Sequence, residues 1–115
     1  MEIFRNLIAW QKTHQLVIEV YKLVKTFPEK EKFILIPQIL RATISIAANL
    51  AEGTKRRTVK DRRHFFNMAE TSLEEVKYYI ILSADLDYIP KDKENYLFDI
   101  SREIGRLING LINKT

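Results

Sequence analysis

The chain has 115 residues, 46% of them apolar and 30% charged, with a formal net charge of +4 and no cysteine. That length and balance fit one globular domain spanning residues 1–115 and leave too little chain for a second. The missing cysteines exclude a disulfide scaffold, a thiolate zinc site and a cysteine nucleophile. No apolar run approaches the roughly 18 residues of a membrane span. The start Met1-Glu2-Ile3-Phe4-Arg5 lacks the layout of a signal peptide, so a cytoplasmic location and no membrane partner are expected.

Three glycines and three prolines are few, and β-branched alternation is missing, so the expected class is all-α. From about Asn6 to Lys25 the residues Leu7, Trp10, Val17, Tyr21 and Val24 recur at helical steps, interrupted by His14, until Phe27-Pro28 ends the pattern. A second helix is expected with Pro37 in its first turn, where the missing N–H is harmless. It should run to about Glu52, with Gly53 in the left-handed position just past its end. Between Phe33 and Ala51 the only charge is Arg41, so this helix is apolar nearly all round. Four helices of one short chain cannot cover such a helix on every side, which predicts a homo-oligomer with this helix in the interface. The small side chains Ala42, Ser45, Ala48 and Ala51 would allow close approach there. On the same helix Arg41, Ser45, Asn49 and Glu52, at steps of four, four and three, form a polar seam that would fix register.

Thr58 followed by Asp61 reads as a hydroxyl N-cap with an acid three residues on. Phe65, Ala69, Ser72, Val76, Ile80 and Ser83 then mark the inward stripe of a long third helix. After Tyr88-Ile89-Pro90, a fourth helix carries Leu97, Ile100, Ile104, Leu107 and Leu111. Three short connections predict an antiparallel up-down four-helix bundle.

Charge is concentrated in one place. Residues 55–63 hold Lys55, Arg56, Arg57, Lys60, Arg62 and Arg63 against Asp61 alone, a net +5, so the rest of the chain stands at −1. Such a segment attracts phosphates, acidic protein surfaces or anionic lipid heads, although a solvated helix start is the plain alternative. The run Arg62-Arg63-His64-Phe65-Phe66 sets cations beside rings. Phe65 is assigned to the core, Phe66 is left open, and Trp10 is read as core or interface.

Catalytic patterns are missing. Di-metal bundles need two Glu-x-x-His motifs, whereas the nearest match is Asp61-Arg62-Arg63-His64, whose arginines would repel a cation. Glu70 and Glu74, one helical turn apart, read as a solvated face rather than an acid/base pair. Gly53-Thr54-Lys55 reverses the order of a phosphate loop, and Ser45, Ser72, Ser83 and Ser101 sit in no nucleophile elbow. No metal, no cofactor and no enzymatic activity are expected.

The segments Leu7-Ile8-Ala9-Trp10-Gln11-Lys12, Phe27-Pro28, Gln38, Arg41-Ala42 and Ser45-Ile46-Ala47-Ala48-Asn49-Leu50-Ala51-Glu52-Gly53, with Tyr21 and Ala69-x-x-Ser72-Leu73-x-Glu75, follow one pattern. It resembles the four-helix-bundle family of 23S rRNA intervening-sequence proteins, to which the accessory variability determinant of diversity-generating retroelements is related. The resemblance implies a bacterial homopentamer with a basic surface for nucleic acid, and for the retroelement relative a reverse-transcriptase partner. By position, Gln38, Arg41, Ser45, Asn49, Glu52 and Gly53 would be the family signature, structural or at subunit contacts. Pro37, Leu40 and Thr71 depart from the family pattern. The expected function is therefore an oligomeric bundle binding RNA or DNA through the phosphate contacts of Lys55, Arg56, Arg57, Lys60, Arg62 and Arg63. The alternative is an adaptor docking an acidic protein such as a reverse transcriptase or other polymerase.

Overall fold

Leu7 is extended (φ −75°, ψ 123°) and turns a short 3-10 segment, Ile3–Asn6, into helix α1 (Ile8–Val24). In this computed structural model, which describes residues 2–115, three further helices follow: α2 (Leu35–Lys55), α3 (Val59–Asp85) and α4 (Lys91–Lys114). Met1, part of the N-terminal stretch read above, lies outside the described residues. No strand occurs among the described residues, and no helix is long and apolar enough to cross a membrane. Each helix packs on the next in the chain, and α4 returns to α1, closing a four-helix bundle of 44 × 25 × 24 Å.

The core runs down the middle of this square. Leu16, Val20, Ile39, Ile46, Leu50, Val76, Leu97, Ile104 and Ile108 are completely covered. Each such aliphatic side chain contributes roughly 1.5–3 kcal/mol by leaving water. Hydroxyls inside the core are satisfied locally: Thr13 donates to the Ala9 carbonyl (2.7 Å), Thr43 to Ile39 (2.6 Å), Ser83 to Tyr79 (2.7 Å) and Ser101 to Leu97 (2.8 Å). Among the described residues no buried side-chain polar atom lacks a partner, as close packing requires.

Two register assignments differ from the sequence expectation. The buried stripe of α1 is Ala9, Thr13, Leu16, Val20 and Val24. Of the predicted stripe, Leu7, Trp10 and Val17 are half-buried, Tyr21 is exposed, and only Val24 is buried. The helix has two neighbouring apolar faces, and the larger side chains lie on the outer one. In α3 the core position belongs to Phe66, while Phe65 is half-buried; Ala69, Ser72, Val76, Ile80 and Ser83 are buried as expected. In α4 the fully buried positions are Leu97, Ser101, Ile104 and Ile108, with Ile100, Leu107 and Leu111 packed at their flanks.

The helix ends follow their local chemistry. Pro37 sits in the first turn of α2. Thr58 caps α3, its hydroxyl accepting the Asp61 N–H at 3.1 Å. α3 ends in a Schellman arrangement, with the Asp87 N–H on Ala84 and the Tyr88 N–H on Ser83 at 2.9 and 2.8 Å. Asp87 takes the left-handed conformation at φ 63°. Gly53 does not play the part expected of it: α2 continues to Lys55 and no glycine has positive φ. It is buried inside the helix, because a Cβ there would stand 2.5 Å from Phe66 Cε1. The position is set by close packing of α2 on α3, and no backbone turn is involved.

Candidate functional site

Arg56, Arg57 and Thr58 are the whole connection between α2 and α3, so the basic segment forms one corner of the bundle. Lys55 ends α2, the two arginines make the turn, and Lys60, Arg62 and Arg63 lie in the first turns of α3. The structure therefore brings all six cations together, but it uses them differently. Arg56 pairs with Glu52 one turn back on α2 and lies 5.3 Å over the ring of Phe65. Arg62 folds back and donates to the carbonyls of Arg56 (3.2 Å) and Arg57 (3.0 Å), clamping the turn. Lys55, Arg57, Lys60 and Arg63 are exposed and, among the described residues, make no salt bridge. These four are the cations available to a ligand.

Of the four, Lys60 alone lies in the first turn of α3. The N-terminus of α3 is the positive end of its dipole, where an exposed cation is unfavourable by about 0.3–1 kcal/mol. Asp61 is the only acid in that first turn. Lys60 therefore opposes the dipole of α3, whereas Lys55, in the last turn of α2, complements that of its own helix, and together they add to the positive field of the corner.

The predicted polar seam holds this corner in place. Ser45 Oγ lies 2.9 Å from Ser72 Oγ on α3. Asn49 Nδ2 donates to the Ser45 carbonyl (2.9 Å) and to its hydroxyl (3.0 Å). Glu52 then takes Arg56, and Gly53 admits Phe66. Arg41 and Gln38 continue the line toward the other end of α2 and are exposed. Opposite Arg41, burial pushes the Tyr79 phenol above its ordinary range, Glu75 adds to the shift, and the charge of Arg41 opposes it. The partners Ser72 and Phe66 on α3 were not linked to the seam by sequence reasoning, although the serine inside an apolar stripe was the available signal.

A second surface feature lies between α1 and α2. Phe4, Trp10, His14, Val17, Ile44, Ala47, Ala48 and Ala51 line an open, mostly apolar groove of about 290 Å³. Trp10 stacks on His14 (5.0 Å, 6°) and meets Phe4 edge-on (5.0 Å). Its neighbours explain the Trp-Gln-Lys run: Gln11 donates to the Arg5 carbonyl at 2.7 Å, and Lys12 bridges to Glu103 of α4 at 3.0 Å. Glu70 and Glu74 face a different, charged groove with Lys77, Arg102 and Arg106, and Glu74 pairs with Lys77 at 2.9 Å. Among the described residues no group of three or more His, Asp or Glu side chains is placed to hold a metal ion.

No curated protein matches this chain. A solved structure from Bacteroides thetaiotaomicron VPI-5482, described as a protein of unknown function from the S23 ribosomal protein family, superposes with a TM-score of 0.84 at 25% identity. The match covers 91% of this chain and 98% of that one. The sequence model of the family described as 23S rRNA-intervening sequence protein matches residues 5–110, which takes in α1, α2, α3, the basic corner and all but the last four residues of α4. The chain belongs to the 23S rRNA-intervening sequence protein family.

Proposed function

We propose that this protein is a non-enzymatic, cytoplasmic homo-oligomer that binds RNA or DNA through the α2–α3 corner, with phosphate contacts from Lys55, Arg57, Lys60 and Arg63. The observation that carries the reading is the set of four exposed cations gathered at one corner which, among the described residues, make no salt bridge. Arg56 and Arg62 serve the same site by holding the turn rather than by meeting phosphate. The contacts are electrostatic and read no bases, so affinity depends steeply on salt. The family description supports an RNA setting, since it names an intervening sequence of 23S rRNA.

Within one protomer the helices run up and down in antiparallel order. Supporting this, Ser45 meets Ser72 while Gly53 meets Phe66, and Lys12 meets Glu103 while Glu19 meets Tyr96, so positions advance on one helix as they retreat on the other. Association uses the α1–α2 groove, where Ile44 remains 41% exposed beside Trp10 and the alanines of α2. The family resemblance points to five copies. Repetition of the basic corner around such an assembly raises avidity on one nucleic acid strand.

Fluorescence anisotropy with labelled RNA, single-stranded DNA and duplex DNA tests the reading. Binding of at least one at moderate salt, displaced by unlabelled nucleic acid, is the expected result. No binding of any of the three leaves the corner to an acidic protein partner and overturns the proposal.

A further inference from the structure

We infer that His64 belongs to the same contact surface and makes nucleic-acid binding proton-linked, an inference that rests on the basic corner being the phosphate-binding site. His64 follows Arg63 and lies one helical turn from Lys60, so Lys60, Arg63, His64 and Asn67 share the solvent face of the first turns of α3. The ring is exposed and stands edge-on to Phe65, with centroids 5.2 Å apart. Among the described residues it makes no salt bridge and no side-chain hydrogen bond. Phe65 carries Arg56 near its own ring, so the aromatic pair joins His64 to the cations of the turn. An imidazole that is solvated, unpaired and set among phosphate-binding cations has the chemistry of one more phosphate contact, available when protonated.

The charged groups around it come from three elements. On α3 they are Lys60, Asp61 and Arg63; from the end of α2 and the turn they are Lys55, Arg57, and Arg56 with its Glu52. Helix α4, which packs on α3, carries Lys114 in its last turn. Cations outnumber Asp61, one turn before His64, and Glu52, which is paired with Arg56, so a bound phosphate adds negative charge beside the ring. A phosphate beside it favours the imidazolium over the neutral ring. A phosphate that favours the imidazolium over the neutral ring makes binding take up a proton. Acid conditions tighten the complex and alkaline conditions loosen it.

The chain has two histidines, His14 and His64, which makes the test clean. Anisotropy titrations with labelled oligouridine, whose bases take up no proton in this range, are run between pH 5.5 and 8.5 at constant ionic strength. Wild type and His14→Gln should bind more tightly at the acid end by about fivefold, the worth of one exposed ion pair. His64→Gln should bind with affinity independent of pH, and His64→Arg should hold the tight value throughout, with helicity unchanged in each variant. Binding that does not vary with pH in wild type, or a slope that survives His64→Gln, overturns the inference while leaving the phosphate site standing. Absence of binding at every pH overturns both.

Discussion

Replacing Gly53 by alanine should destabilise this protein even though alanine is the better helix former. The position is helical and away from positive φ, so the substitution by itself favours the helix by about 0.5–1 kcal/mol. The new Cβ would stand 2.5, 2.8 and 3.2 Å from three carbons of the Phe66 ring. Ordinary carbon contacts sit near 3.5–4.0 Å, so the ring or the helix must move by about 1 Å. Phe66 is only 4% exposed, and its ring cannot swing into solvent without giving up its burial. Overpacking of this kind costs about 1–3 kcal/mol, and two contacts under 3.0 Å place it at the upper end. The net expectation is a loss of about 2 kcal/mol, or a melting temperature lower by roughly 8 °C for a domain of this size. Urea and thermal melts at fixed protein concentration read it directly. In a Phe66→Leu background the same change should become stabilising by up to about 1 kcal/mol, a reversal that isolates the contact between the two positions. A Gly53→Ala protein as stable as wild type, or more so, would refute the claim that close packing against Phe66 is what this glycine provides.

Other consequences follow from local geometry. Asp87→Gly relieves a left-handed backbone at φ 63° and should raise stability by about 0.5–1 kcal/mol in thermal melts. Tyr88 and Tyr96 donate to Glu31 and Glu19 at 2.6 and 3.0 Å, and these bonds hold both phenols above their ordinary range. A raised value in the folded state means stability is complete below about pH 10 and is lost as pH rises through the folded values. Urea midpoints between pH 9 and 11 should therefore fall less steeply in Tyr88→Phe and Tyr96→Phe than in wild type. Ile44→Asp or Ala48→Asp, on the exposed side of α2, should reduce the mass seen by light scattering to that of one chain while helicity is retained.

How much of this was legible in the sequence depends on whether the signal was local. The cap at Thr58, the first-turn Pro37 and the end of α1 ahead of Phe27-Pro28 are decided by neighbouring residues, and the structure agrees with them. The charge cluster was equally plain, because six cations against one acid need no fold to be noticed. Side-chain partition within the cluster was not: that Arg56 returns to Glu52 and Phe65, and Arg62 to two carbonyls, follows only once α2 and α3 are folded against each other. The misassigned stripe of α1 has a related origin. Trp10, Val17 and Tyr21 are larger and more apolar than Ala9 and Thr13, so periodicity weighs the outer face above the inner one. Gly53 and Phe66 misled together, since a glycine near a helix end is usually a cap, and only the opposing ring reveals a packing role. The seam was found on α2 by spacing, but its closure through Ser72 is a tertiary fact.

If Lys55, Arg57, Lys60 and Arg63 meet phosphates, the salt dependence of binding reads those contacts. Affinity for a single-stranded oligonucleotide is measured across a salt series for wild type and for a variant with these four residues changed to glutamine. Each lost phosphate contact removes about 0.7 from the slope of log affinity against log salt, so the variant should be flatter by about 3 as well as weaker. A variant that keeps the wild-type slope and affinity would contradict the account and place the contact elsewhere on the molecule.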